Sequence, residues 1–286
     1  MKQNRKDFLQ KMGSGLLIAG LPSVAFADED AVIDSDDFIA EADATDEKFW
    51  RKIAKKYYDV ADEHINLENG YYGIQPKPVL QAFQKNVATA NKQAARFARK
   101  EYLAIAAAAK KEVATFLGVA DEEIIITRNA TEALNIAIQG YPFKQGDEVI
   151  LNQLDYFSMI ETFRMLEKRG TIRVKEFEMP LLPNSEDEIV DIYRKLITDK
   201  TKVILLTHVS NINGLIVPVA KIAAMAKEKS VDVIVDSAHA LGQIKFNVSE
   251  LNADFVGLNL HKWIGNPVGA GVLYVKKERI NEMKAL

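Results

Sequence analysis

Val-Asp-Val-Ile-Val-Asp-Ser-Ala-His (231–239) and Ala-Asp-Phe-Val-Gly-Leu-Asn-Leu-His-Lys-Trp (253–263) decide the fold of this chain. Each is a short apolar run that ends on polar groups, the pattern of a strand buried on both faces. Working outward, similar runs fall near 123–127, 147–152, 171–179, 201–208 and 270–276. Apolar residues at helical spacing fill most of the gaps, near 131–139, 158–169, 185–197 and 218–229. Seven strands interleaved with helices predict an α/β fold with a mainly parallel sheet sandwiched by helices. Ligands of such sheets bind beyond the carboxyl ends of the strands, and Asp155, Asn211, Asp236 and Lys262 all stand there.

Upstream, Phe49, Trp50, Ile53 and Tyr57 predict an amphipathic helix over 48–60, followed by a turn-rich segment (65–73) ending near Pro76 and Pro78. Residues 79–117 read as helical with a break in the Ala-rich middle, stopped by Gly118. The first 27 residues read as an export signal: Lys2, Arg5, Lys6 and Lys11, then the apolar run 12–21, then Ala25-Phe26-Ala27 as a cleavage site. Arg5-Lys6-Asp7-Phe8-Leu9 is similar to a twin-arginine signal, predicting export by that translocase to the periplasm; a cytoplasmic location is the alternative. The apolar run is too short for a permanent membrane anchor. Residues 28–47 hold ten acids and no base, predicting a disordered linker. The expected organisation is therefore a signal (1–27), the linker (28–47), an N-terminal helix and active-site segment (48–75) and a large domain (76–286). A formal charge of −3 offers no basic face for nucleic acid. With no cysteine in 286 residues, disulfides, cysteine-ligated zinc and a thiol nucleophile are excluded within this chain.

The strand ends carry a constellation. Asp236 offers a carboxylate and Lys262 an amine at the ends of neighbouring runs. Thr127-Arg128-Asn129-Ala130-Thr131-Glu132 joins a strand to a helix; Asn129 and Glu132 have capping-box spacing, the plain reading being a helix start. The functional reading is a phosphate site made of the Ala130 and Thr131 N–H groups and the Thr131 hydroxyl. Tyr156 can stack on a flat ring or plug the sheet end. Asn211 and His239 can bond a ring oxygen, or be a turn residue and a helix-start histidine. Asp236 and His239 with His208 or His261 are an alternative metal set, without a supporting spacing. One cofactor uses all these groups. Pyridoxal phosphate needs an amine for its aldehyde, a carboxylate for its ring nitrogen, a phosphate cradle and a stacking face.

Asn66-Leu67-Glu68-Asn69-Gly70, Arg128-Asn129-Ala130-Thr131-Glu132-Ala133-Leu134-Asn135, Asp236-Ser237-Ala238-His239-Ala240 and His261-Lys262-Trp263 together resemble the class V aminotransferase-fold enzymes, from about residue 48 onward. Within them the chain most resembles the isopenicillin N epimerase-like branch, with the cysteine desulfurases as more distant relatives. The resemblance implies fold type I with a large and a small domain, and a homodimer with active sites at the subunit interface. It implies a Schiff base on Lys262, Asp236 at the ring nitrogen, and Ala130 and Thr131 at the phosphate. It also implies Tyr156 stacked on the ring, Asn211 and His239 at the ring oxygen, and Asn259 where relatives carry a phosphate-binding Ser. His261 would lie in the phosphate region, and Tyr71, Tyr72 and Gly73 would line the substrate side. The expected reaction is at the Cα of an amino-acid substrate, epimerase- or aminotransferase-like. A desulfurase or lyase, and an inactive remnant, are the alternatives. The chain stops 24 residues after Lys262. The expectation is that the C-terminal small domain, with the arginine that grips the substrate carboxylate, is absent.

Overall fold

A computed structural model describes residues 45–61 and 63–284. The expected signal and residues 28–44 of the expected linker lie outside them. The linker's last acids belong to the fold: helix α1 (Glu47–Tyr57) begins at Glu47, and the Asp46 carboxylate accepts from the Lys48 and Phe49 N–H groups at 3.0 and 3.1 Å. An acidic cap satisfies N–H groups that a helix start leaves unpaired and complements its dipole, which is why the helix starts at the end of the acidic run. Ile53 and Tyr57 are the buried face of α1.

The long helical stretch breaks twice. α2 (Lys77–Gln93), α3 (Ala95–Lys100) and α4 (Tyr102–Leu117) are separated at Ala94, with φ 42°, and at Glu101. None of the residues of α2 is buried. α4 stops at Gly118 in the left-handed region (φ 71°), where glycine alone is unstrained.

All seven expected strands form: β1 (Ile124–Thr127), β2 (Asp147–Asn152), β3 (Ile172–Phe177), β4 (Thr201–Thr207), β5 (Asp232–Asp236), β6 (Phe255–Asn259) and β7 (Gly271–Val275). They make one sheet in the order β1-β7-β6-β5-β4-β2-β3. β7 runs antiparallel to β1 and β6, and every other pair is parallel. Four helices supply the crossovers: α5 (Ala130–Gly140), α6 (Phe157–Lys168), α7 (Glu186–Leu196) and α8 (Val219–Glu228).

The strands alternate sides. Val149, Leu151, Leu205, Ile234 and Phe255 pack under Leu134 and Ile138 of α5 and Met159 and Phe163 of α6. Ile150, Ile204, Leu206, Val233, Val235 and Leu258 pack under Leu117, Ile189, Tyr193 and Ile222 of α4, α7 and α8. Each such side chain, fully buried, contributes roughly 1.5–3 kcal/mol. The period of two puts Asp236 on the same side as Ile234, toward α5. Two glycines let α5 lie close to the sheet. A Cβ on Gly257 would stand 2.6 Å from Leu134, and one on Gly271 would stand 2.6 Å from the Asn129 backbone.

Candidate active site

The registry assembles the polar groups. Thr127 and Asn259 both pair with Gly271, and Gly257 pairs with Asp236, which pairs with Thr207. The ends of β1, β6, β5 and β4 thus form one rim, with the start of α5 beside it. Among the described residues no helix is long and apolar enough to cross a membrane, and no three His, Cys, Asp or Glu side chains could hold a metal ion.

The start of α5 corrects two expectations. Asn129 Oδ1 accepts from the Glu132 N–H at 2.8 Å, but the Glu132 carboxylate returns to Arg128 N (2.6 Å) and its guanidinium, so the capping box is not reciprocal. Nor is the Ala130 N–H free: it donates to Asn259 Oδ1 at 2.8 Å in a buried bond. A buried amide beside a longer side chain finds an acceptor within the protein. With its oxygen committed, Asn259 keeps its NH2 group for other acceptors. The N–H and hydroxyl of Thr131 donate to nothing among the described residues.

Asp236 is 4% exposed. One oxygen accepts from the Ala238 N–H at 2.9 Å; the other accepts nothing from the described residues. Burial raises its pKa, and the Lys262 charge works against that rise. Such a carboxylate favours a cationic N–H partner. Lys262 is half-buried at the turn after β6, where burial lowers the pKa of its amine against Asp236 and Glu68. Its Nζ lies 2.9 Å from His239 Nε2. Burial, with Lys262, depresses His239 to about 4. The Trp263 indole N–H donates to His239 Nδ1 at 3.3 Å.

The remaining candidates divide. His261 is buried and its Nδ1–H donates to the Ala270 carbonyl at 2.8 Å, leaving Nε2 as its free edge. The Gly73 N–H donates to the His261 carbonyl at 2.8 Å, and a Cβ on Gly73 would stand 2.1 Å from the Lys262 carbonyl oxygen, so only glycine fits there. Tyr71 and Tyr72 are exposed, at 82% and 65%. Tyr156 is half-buried, caps α6 and meets Phe157 edge-on at 5.2 Å. Asn211 is exposed in the turn closed by Gly214, and its side chain bonds to none of the described residues. Asp155 is a brace: its carboxylate accepts from Asn152 and Thr207, tying β2 to β4, while burial pushes it up to about 7. Sequence reasoning missed Trp263, Glu68 and the Asn259–Ala130 bond. Trp263 adjoins Lys262, but nothing in the spacing signals that its ring reaches His239.

The residues fit pyridoxal 5′-phosphate. The oxygen of Asp236 that has no donor among the described residues suits a protonated ring nitrogen. The unused Thr131 donors and Asn259 NH2 suit a phosphate at a helix start, and a half-buried amine suits an aldehyde.

The class-V aminotransferase family model matches residues 73–286. The chain belongs to that family. Its cofactor is pyridoxal 5′-phosphate, and it is related to the cysteine desulfurases. It is 28% identical over 237 residues to a probable cysteine desulfurase of Pyrococcus abyssi, covering 78% of this chain and 56% of that protein. The isopenicillin N epimerase of Streptomyces clavuligerus is 24% identical over 220 residues, covering 77% of this chain and 55% of the epimerase. The apo cysteine desulfurase of Thermococcus onnurineus superposes with a TM-score of 0.69 at 27% identity, over 82% of this chain and 58% of the other. This class-V chain therefore spans about half the length of the relatives it matches.

Proposed function

We propose that the protein is a pyridoxal 5′-phosphate enzyme acting at the Cα of a sulfur-bearing amino acid, of cysteine desulfurase or carbon–sulfur lyase type. The observation that carries this reading is the half-buried Lys262 amine, 2.9 Å from His239 Nε2 and within the field of the buried Asp236. The cofactor, when bound, supplies an electron-poor ring that accepts the electrons of a broken bond at Cα. Asp236 would hold a proton on the ring nitrogen through the oxygen that has no donor among the described residues. Lys262 would hold the cofactor's aldehyde, and its Nζ, as a free amine, would take the Cα proton. Thr131, Asn259 and the dipole of α5 would hold the phosphate, with His261 near it. Tyr156 would stack on the ring, His239 and Asn211 would bond its oxygen, and Gly73 with Tyr71 and Tyr72 would line the substrate side.

Sulfur chemistry is preferred over the epimerase or aminotransferase reaction first expected. The desulfurase of Pyrococcus abyssi matches at higher identity, over more residues, than the epimerase. A homodimer is part of this reading, supported by α2, where Leu80, Phe83 and Val87 stand exposed on a helix without buried residues.

The test loads the full chain with pyridoxal 5′-phosphate and follows the visible absorbance of the lysine-bound cofactor. The expected result is a band in the wild type that is absent in Lys262→Ala, and sulfide release from L-cysteine under reducing conditions. A wild type without a band refutes the cofactor role of Lys262. A loaded enzyme whose sole product is the D-amino acid returns the reaction to the epimerase type.

A further inference from the structure

We propose that Trp263 is a positioning residue: its indole N–H fixes His239 in the Nε2–H form, and His239 in turn holds Lys262 as an uncharged amine ready for the cofactor. This inference rests on the proposed function for its purpose, though not for its geometry. An indole N–H can only donate. It meets His239 Nδ1 at 3.3 Å, so that nitrogen presents its lone pair. In a neutral imidazole the proton then sits on Nε2. Nε2–H faces Lys262 Nζ at 2.9 Å. An ammonium group has no lone pair and would oppose donor to donor. A free amine accepts. The chain of donors therefore runs from Trp263 through His239 to Lys262.

The packing places Trp263 tightly. A Cβ on Gly242, at φ 90°, would stand 3.0 Å from the Trp263 carbonyl carbon and its Cβ. Gly73 lies close against the Lys262 carbonyl, whose oxygen is 2.1 Å from where a Gly73 Cβ would stand. The tryptophan and histidine rings meet edge-on, 6.3 Å apart.

The charges around Lys262 make this arrangement consequential. Asp236 on β5 and Glu68 on the segment before Gly70 both favour the ammonium form. Against them stand burial and the His239 donor. Burial lowers the pKa of both Lys262 and His239. Without the indole N–H, nothing obliges His239 to keep its lone pair on Nδ1. Its Nε2 can then accept from an ammonium, and the two carboxylates prevail.

The test uses the full chain without added cofactor. Nitrogen-15 spectra of labelled histidines read the His239 tautomer, and the pH profile of Lys262 labelling by trinitrobenzenesulfonate, resolved by peptide mass spectrometry, reads its free amine. The wild type should show His239 protonated on Nε2. Trp263→Phe keeps a ring but removes the N–H. It should mix the tautomers and slow Lys262 labelling at neutral pH by about tenfold, because the ammonium then outweighs the free amine by about that factor. A wild-type His239 protonated on Nδ1 overturns the proposal even if the variant does not fold. So does a folded Trp263→Phe with unchanged tautomer and labelling. Because neither readout uses the cofactor, an intact donor chain in a protein that forms no cofactor band would refute the proposed function alone.

Discussion

Gly271→Ala should weaken cofactor binding without touching any group that holds the cofactor. The added Cβ would stand 2.6 Å from Cα and the carbonyl carbon of Asn129 and 2.9 Å from its nitrogen. Ordinary contact begins near 3.4 Å, so the start of α5 must retreat by about 0.8 Å. These neighbours are backbone atoms, and no side-chain rotation relieves them. The shift falls on two bonds at once: Asn259 Oδ1 to Ala130 N and Asn129 Oδ1 to Glu132 N, both 2.8 Å. Overpacking costs about 1–3 kcal/mol, and a weakened cap roughly 1 kcal/mol more. Urea unfolding should register a loss of that size. Pyridoxal 5′-phosphate titration should register at least tenfold weaker binding, since about 1.4 kcal/mol at the phosphate suffices for that. Gly146→Ala is the control: with φ 90° it strains the backbone, but nothing lies within 4 Å of the new Cβ. It should cost stability and leave the affinity alone. Equal cofactor affinity in Gly271→Ala and the wild type would refute the idea that close helix-to-sheet packing sets the phosphate site.

Asn259→Ala removes the acceptor of the buried Ala130 N–H and should cost roughly 1–3 kcal/mol in urea unfolding. A loss under about 0.5 kcal/mol would show that the bond contributes nothing. His208 is 5% exposed, and burial lowers it from its ordinary 6.5 to about 4. The unfolded chain therefore takes up this proton first on acidification. The contribution of neutral His208 is complete above pH 6.5 and is lost as pH falls toward about 4, at up to about 1.4 kcal/mol per pH unit. Asp155 and Asp236, both raised by burial, change stability in the opposite sense, so the readout is the difference between wild type and His208→Gln. A difference that stays constant across this range would sink the assignment of His208 as buried and neutral.

Why some of the site was legible in the sequence and some was not follows from how far each signal reaches along the chain. Strands buried on both faces must be apolar and short, so β2, β4, β5, β6 and β7 are visible as runs, and the turn after each predicts where polar groups collect. The edge strands β1 and β3 keep exposed residues and are legible from their β-branched residues. Asp236 and Lys262 are legible because each ends such a run. The misses are contacts made across the chain. Ala130 and Asn259 are 129 residues apart, and only the β1-β7-β6 order, in which β7 reverses direction, brings them to 2.8 Å. Local reading sees Ala130 at a helix start and assigns it a free N–H; tertiary packing supplies an acceptor instead. His239 and Trp263 show the same limit on a smaller scale. The sequence makes His239 a candidate for a ring oxygen and assigns Trp263 no role, because hydrogen-bond direction is a property of two rings placed together. The end of the acidic run went the other way: its composition predicted disorder through residue 47, while Asp46 caps, and Glu47 begins, a helix with a buried face. Composition averages over a segment. Capping and proton placement depend on single atoms, and at this site single atoms decide whether Lys262 is a charge or a nucleophile.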